Sequence, residues 1–306
     1  MKIIESQNVH TLQKMWRPDN VPILRIDEGE EFVLKIPDSS SYQIKKDFKS
    51  SMLAGLDHSL IDAAVGPIFV NGAKAGDILE VTLLDITVGD WGWSSISPDF
   101  GLLKGRFENK LFLWDIGKDF VEPSLGFHKN VKIPVEPFLG VIATAPARGE
   151  FGMIPPQYFG GNMDNRLLRK GAKLRLPVNV DGAHLSFGDP HACQGDGEVG
   201  GTAVETTATV RAVVKIIHED GSKMQPTAIS TERFSGEVII SMGIDPDLRK
   251  ASEIAVDSMI VELKKMGYYE DEAYVLCSVA GNLRISEIVD EPNFVVSMVI
   301  PRAIFS

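Results

Sequence analysis

The chain has 306 residues and a formal net charge of −11 at pH 7. The acidic surplus argues against nucleic acid or an anionic membrane as the main partner, because both attract clustered Lys and Arg. The only two cysteines, Cys193 and Cys277, are too few for a disulfide framework and fit a reducing compartment. No segment approaches the length of a membrane span, and residues 1–8 contain no apolar signal core, so we expect a cytoplasmic protein.

Most of the chain between residues 20 and 225 is predicted to be β-structure. Short apolar runs alternate there with turn signals such as Asn71-Gly72 and Asp220-Gly221. The longest pattern covers residues 204–217, where apolar and polar side chains alternate with a period of two. This alternation predicts one strand with a buried face and a polar face, and it places Glu205 on the polar face.

The C-terminal part changes to a helical period. Asp245-Pro246 predicts a helix start, and apolar residues then recur at helical spacing until Gly267. A second helix is predicted over residues 271–280 and a final strand over residues 294–300. The sequence therefore predicts a mostly β fold, with a sandwich-like or barrel-like core over residues 1–228 and a smaller α+β domain over residues 229–306.

The densest group of reactive side chains lies in residues 188–198. The glycines and the proline of this stretch predict a loop rather than a helix or strand. Its candidate catalytic or metal-binding residues are Asp189, His191, Gln194, Asp196 and Glu198. Cys193 lies two positions after His191, but a usable Cys-His pair is built by the fold and not by proximity in sequence, so we predict that Cys193 is not a nucleophile.

Three further positions are candidates with structural alternatives. Asp57 and His58 are neighbours that either bind a metal at irregular backbone or form a capped turn. Asp164 follows a Gly-Gly-Asn-Met segment and either ligates a metal, acts as a base or caps the next segment. Glu150 is a candidate acid or base, for which a solvated loop position is the alternative.

Several separate blocks of the sequence, taken in order, resemble the acetamidase/formamidase family. They are Gly-Leu-Asp-His-Ser-Leu at 55–60, Ala-Val-Gly-Pro-Ile-Phe-Val at 64–70, Gly-Gly-Asn-Met-Asp-Asn at 160–165, Leu-Pro-Val-Asn-Val-Asp-Gly-Ala at 176–183, Gly-Asp-Pro-His-Ala-Cys-Gln-Gly-Asp-Gly-Glu-Val at 188–199 and Glu-Ala-Tyr-Val-Leu-Cys-Ser at 272–278. The resemblance implies a cytosolic, homo-oligomeric amidohydrolase that converts a short aliphatic amide, such as acetamide or formamide, into carboxylate and ammonia.

The matching motifs also imply a metal centre. They contain His58, Asp164 and His191, which, with Asp57, we predict as ligands of a divalent metal. Histidine with carboxylates suits Zn, Mn or Fe, whereas a carboxylate-only site suits Ca or Mg, and we expect Zn. A carboxylate from Asp189, Asp196 or Glu198 is then the general base, and backbone N–H groups of residues 195–197 bind the oxyanion.

Two other functional interpretations of the sequence stay open at this point. One is a hydrolase of another C–N bond on the same scaffold, for instance a cyclic amide or a carbamate. The other is a non-catalytic β module that only binds a structural metal. Convergence of His58, Asp164 and His191 on one pocket favours an enzyme.

Overall fold

The computed structural model of the protein describes residues 2–5, 12–233 and 235–305. Residues 1 and 6–8 of the segment inspected for a signal peptide lie outside these ranges. The strands, in chain order, are β1 (Lys2–Glu5), β2 (Leu24–Ile26), β3 (Phe32–Ile36), β4 (Val65–Val70), β5 (Ile78–Val88), β6 (Trp91–Ile96), β7 (Lys110–Ile116), β8 (Phe120–Leu125), β9 (Ile133–Pro134), β10 (Phe138–Ala143), β11 (Gly160–Asn162), β12 (Lys173–Pro177), β13 (Leu185–His191), β14 (Ala208–Ile217), β15 (Thr227–Glu232), β16 (Gly236–Asp245), β17 (Asn282–Glu287) and β18 (Phe294–Pro301). Two helices, α1 (Leu248–Lys265) and α2 (Glu270–Val279), lie between β16 and β17.

Within the described ranges the strands form three sheets. The largest has nine strands in the order β1-β3-β14-β5-β12-β15-β16-β18-β17. The second has five strands in the order β11-β10-β13-β4-β2, and the third has four in the order β6-β7-β8-β9. The mostly β fold with helices in the C-terminal part confirms the predicted fold class.

The main hydrophobic core lies between the nine-stranded and five-stranded sheets. Apolar side chains from strands of both sheets form one buried cluster. Phe32 of β3 and Phe187 of β13 meet across it, with ring centroids 5.9 Å apart. In β14 every second residue is buried, as its alternating sequence predicts.

The helices cover the other face of β16 and β18. Ala251, Ala255, Met259 and Leu263 are fully buried on α1 and pack with Ile239, Val296, Met298 and Ile300 of these strands. Because side chains alternate along a strand, β16 and β18 contribute one face to the main core and one to the helices. Within the described ranges, no helix is long and apolar enough to cross a bilayer.

The predicted boundary at residue 228 falls within β15. This strand pairs with β12 on one side and with β16 on the other, so the nine-stranded sheet continues across residue 228. The division into two domains stays a prediction.

Two predicted elements begin elsewhere. The N-cap of α1 is Asp247, whose carboxylate accepts from the backbone N–H groups of Arg249 and Lys250, because Asp245 still belongs to β16. β14 begins at Ala208, four residues after the predicted start, because Glu205 bridges instead to Trp93 and His191.

Candidate active site

The five-stranded sheet carries the central histidine of the site. Residues 188–191, predicted as loop, are the end of β13, and this prediction was wrong. β13 pairs with β10 through His191, but its pairing with β4 reaches only Phe187. Pro190 therefore lies beyond the end of the pairing with β4. Its lack of an N–H group costs no hydrogen bond to that strand. Asp189 and His191, two residues apart, reach the same buried space.

The His191 imidazole lies among three carboxylates. Its Nε2 is 2.9 Å from Asp189 Oδ2 and 3.1 Å from Glu205 Oε2, and its Nδ1 is 3.7 Å from Asp164 Oδ1. All four residues are buried, with no more than 4% of each exposed. Burial opposes a charge on His191, but Asp189 and Glu205 raise the pKa of the imidazole well above its usual value.

A glycine makes this convergence possible. Gly140 lies on β10, between β11 and β13 in the sheet. A Cβ atom at this position would collide with Asp189 Oδ2 and Asp164 Oδ1. The two carboxylates therefore meet in the space that a side chain at residue 140 would fill.

More buried acids interact with the carboxylates of this group. They are Asp62, Glu198, Glu287 and Asp290, each no more than 8% exposed. Burial raises the pKa of Asp164 to about 7 and that of Glu287 to about 8, and it holds the pKa values of Asp62, Asp189, Glu198 and Asp290 well above the usual carboxyl range. Neighbouring carboxylates raise these values further. Burial acts in the same direction on Glu205, but His191 and the Ser39 hydroxyl lower its pKa on balance.

The backbone is strained where these acids are attached. Asp62, Asp164, Asp189 and Glu198 have φ values of 54°, 42°, 50° and 45°, in the left-handed region that non-glycine residues seldom occupy. Such conformations cost about 1–3 kcal/mol each and concentrate at functional sites. The fold therefore tolerates unfavourable backbone conformations at the residues that bring these carboxylates together.

A cavity of about 480 Å³ opens onto the cluster. Its deep lining includes Asp62, Asp189, Glu198, Glu205 and Asp290. His58 lines the same cavity but is solvent-exposed. Asp57 is exposed as well, and its carboxylate accepts from the backbone N–H of Ser59 at 3.0 Å, which is the geometry of a capped turn.

A second cavity of about 540 Å³ lies on the other side of Glu198, which lines both. Asp196 lines the second cavity and pairs with Arg166 at 2.8 Å.

The Gln194 side chain donates a hydrogen bond to the Asp164 carbonyl at 2.9 Å and so supports the loop that carries Asp164. Burial raises the pKa of Cys193, also on this cavity, to about 11, which opposes thiolate formation.

Two further groups predicted to take part in catalysis have other contacts in the structure. Glu150 lies on an exposed loop and pairs with Arg17, outside the buried cluster. The Gly197 N–H, expected to bind an oxyanion, donates instead to the Ser286 carbonyl at 2.9 Å. That donor is already used within the fold.

Sequence reasoning missed Glu205, Asp62 and Asp290. Glu205 was placed on the solvent face because its position matched the alternation of the following strand. Asp62 and Asp290 belong to no recognisable motif. The one sequence feature that could have indicated their burial is an adjacent apolar segment, Ala-Ala-Val after Asp62 and Ile-Val before Asp290.

Buried acids with raised pKa values around one imidazole, at the end of a cavity, form a centre for proton transfer of the kind that hydrolases use. The sequence pattern that defines the acetamidase/formamidase family matches residues 2–152 and 147–306. The chain belongs to this family, as its sequence motifs predicted, and it is an amidohydrolase acting on non-peptide amide C–N bonds.

Individual relatives agree over nearly their whole length. A formamidase of Methylophilus methylotrophus is 26% identical, and the match covers 96% of this chain and 89% of that protein. The structure is similar to that of an acetamidase from Bacillus halodurans, with 29% identity, a TM-score of 0.87 and coverage of 99% and 98%. The structure of a protein from Thermoanaerobacter tengcongensis described as a predicted acetamidase/formamidase gives 31% identity, a TM-score of 0.87 and coverage of 99% of this chain and 96% of that chain.

Proposed function

We propose that the enzyme converts a carboxylic amide into carboxylate and ammonia with a divalent metal bound at His191. The single observation that carries this proposal is the convergence of Asp164, His191 and Glu198, whose potential ligand atoms all lie within 4.8 Å of one another. Formamide and acetamide, for which the relatives are named, are the first substrates to test.

The donor atoms fit a metal ion. Nδ1 of His191 and both carboxylate oxygens of Asp164 are buried without a hydrogen-bond partner, whereas Nε2 of His191 lies 2.9 Å from Asp189 Oδ2. Buried polar atoms are normally paired, so these atoms suit a ligand that the protein alone does not supply. A divalent cation would also balance the negative charge that otherwise holds a proton on His191.

We assign the two sides of the imidazole to different roles. On the Nδ1 side, the 3.7 Å separation from Asp164 exceeds hydrogen-bond range, so Asp164, Nδ1 and Glu198 would hold the ion. On the Nε2 side, Asp189 and Glu205 would fix the ring, as carboxylates behind metal-binding histidines do. Of the other predicted ligands, the exposed His58 lines the cavity and would act on substrate entry rather than on the ion, and Asp57 caps a turn outside the cavity lining. The set of one imidazole and two carboxylates favours Zn, with Ca as the second choice.

Bound there, a divalent metal would polarise the amide carbonyl and lower the pKa of water. The chain supplies the proton transfers. Asp189 faces the cavity, and its raised pKa suits a group that accepts a proton from attacking water and returns it to departing ammonia near neutral pH. Glu198, the other predicted base on this cavity, would be occupied by the ion. Asp196, held by Arg166 in the second cavity, is the weaker candidate for this base.

Two wider properties belong to the same proposal. A cytoplasmic location is supported by Cys193 and Cys277, which are both buried and unpaired. A homodimer or higher homo-oligomer is the state implied by the family resemblance, and light scattering during gel filtration would test it.

The test of the proposed function combines metal analysis with a screen for ammonia release. Purified enzyme should contain about one divalent ion per chain and release ammonia from at least one amide. Chelation should remove ion and activity together, and Zn should restore both. Full activity in protein shown by elemental analysis to be metal-free would rule out the metal mechanism and leave a carboxylate-assisted route.

A further inference from the structure

The cavity above the acid cluster is far larger than acetamide requires. Its volume is about 480 Å³. Acetamide has four heavy atoms, which occupy on the order of 100 Å³ if each takes about the ~30 Å³ of a liquid water molecule. Cavities of about 300–1,000 Å³ bind ligands of drug size. A formamide or acetamide molecule would leave most of this space to water.

The chemistry of the lining changes with depth. The carboxylates of the cluster are buried at its inner end. Outside the cluster the lining is mixed. Its apolar side chains come from separate parts of the chain and are Leu53, Leu56, Ile61, Trp93, Ile96, Pro98, Phe100 and Ile154, and its polar side chains include His58, Ser95, Ser97, Asp99, Asn109 and Thr202. Among the described residues of the lining, none is Lys or Arg. A group that packs against the apolar side chains is therefore itself apolar, and a negative charge on it is disfavoured because Asp99 and the cluster carboxylates line the cavity without a Lys or Arg.

From this division we infer that the preferred substrate is a neutral primary amide with an apolar acyl group of about five to ten carbons, aliphatic or aromatic. This inference rests on the proposed function, because the acid cluster must act on the amide end. The amide lies at the carboxylates, and the apolar group packs between Trp93 and the walls formed by Leu56, Ile61 and Phe100. Burial of each added methylene contributes up to ~0.8 kcal/mol, which is about fourfold in binding.

The test is a substrate series measured by ammonia release: acetamide, hexanamide, phenylacetamide and the monoamide of adipic acid. We expect kcat/KM for hexanamide and phenylacetamide to exceed that for acetamide at least tenfold. The adipic monoamide has the length of hexanamide with a terminal carboxylate, and it should be at least tenfold poorer than hexanamide. Acetamide turned over best would overturn the inference while the proposed function stands.

A substitution that partly fills the cavity tests where the apolar acyl group binds. Ala54 lines the rim of the cavity and is exposed, so Ala54→Phe adds bulk without disturbing the core. It should lower kcat/KM for phenylacetamide at least fivefold and leave acetamide within twofold. Ala303→Phe is the matched control, because Ala303 is also exposed and lies in a short 3-10 turn, outside the cavity lining. Equal effects of both variants, or none on phenylacetamide, would contradict the placement.

Calorimetric binding of phenylacetamide separates the two proposals. If no amide is hydrolysed but phenylacetamide binds the folded protein at least tenfold more tightly than acetamide, and Ala54→Phe weakens it, then the proposed function fails and the cavity inference holds. If phenylacetamide is neither bound nor hydrolysed, the inference is wrong.

Discussion

The Ser39 hydroxyl donates a hydrogen bond to Glu205 Oε2 at 2.8 Å, although the two residues are 166 positions apart. Ser39 follows Asp38, a buried carboxylate that accepts hydrogen bonds from Ser40 and from the Trp93 indole. The Asp38 loop thus ties one wall of the cavity to the carboxylate that faces His191. Ser39 is a positioning residue, since it acts through Glu205.

We predict that Ser39→Ala lowers kcat about tenfold and changes KM by less than threefold. Loss of the donor removes one of the two contacts of Glu205 Oε2, the other being His191 Nε2 at 3.1 Å, which costs ~1–3 kcal/mol and loosens the carboxylate that positions the imidazole. The measurement is steady-state ammonia release on enzyme of equal metal content. Ser278→Ala, on an exposed face of α2, should behave as wild type. An unchanged kcat would show that Ser39 has no positioning role.

His191→Ala should lose bound metal and activity together, with a rate at least ~1,000-fold lower, because metal activation of water and carbonyl accounts for several kcal/mol. Metal affinity should also fall as the pH decreases, since a proton competes for the imidazole. Elemental analysis, activity and circular dichroism measure the three quantities. His218→Ala is the control, because His218 is exposed and paired with Asp77. Retention of a full complement of metal would exclude His191 as a ligand.

Cys193→Ala should retain most of the activity. Burial raises the pKa of this thiol to about 11, so almost none is thiolate at neutral pH, and thiolate is the nucleophilic form. Cys277→Ala, at the other buried free cysteine, reports the cost of packing alone. A well-folded Cys193→Ala protein without activity, or a trapped acyl-thioester on Cys193, would refute this prediction.

Gly140→Ala should reduce activity by roughly 100-fold, because displacements of about 1 Å at reacting groups have effects of that order. The added methyl group would collide with carboxylate oxygens of both Asp164 and Asp189, so these must move apart. Gly152→Ala is the control, since its Cβ would meet no atom closer than Pro155 Cδ at 3.7 Å. Equal activities of the two variants would mean that the spacing of these carboxylates is not critical.

Glu287→Gln should change the pH dependence of stability. The folded protein raises the pKa of Glu287 from 4.5 to about 8, mainly by burial, so the folded state binds this proton more tightly than the unfolded state. The contribution of Glu287 to stability is therefore full below about pH 4.5 and declines as the pH rises towards 8. The variant, neutral throughout, should match wild type near pH 4.5 and melt roughly 2–5 °C higher at pH 8.5.

Thermal unfolding at half-unit pH intervals measures this difference. The amide oxygen of Gln can still accept the backbone hydrogen bonds from Val289 and Asp290, so the loop is expected to persist. Glu253→Gln, at an exposed pair with Arg249, should give a curve parallel to wild type. A Glu287→Gln curve parallel to wild type would show that this carboxyl is not perturbed.

The sequence by itself determined the β class, the two C-terminal helices and the family, and it singled out His191 as a candidate site residue. These features depend on local periods, on caps and on short motifs, and such information lies within a few residues of each position. The start of β14 was misplaced because Glu205 fits the alternation of the strand while its tertiary partners pull it into the site.

Only the tertiary structure decided which carboxylates meet. Asp62, Glu205 and Asp290 come from three distant segments, and no local motif marked them as site residues; Asp164, which its Gly-Gly-Asn-Met segment did mark, meets them only in the folded chain. Their convergence depends on strand order, on the missing side chain at Gly140 and on left-handed backbone at Asp62 and Asp164. The raised pKa values of the acids follow from burial among like charges, which is a property of the assembled fold and not of any residue in the sequence.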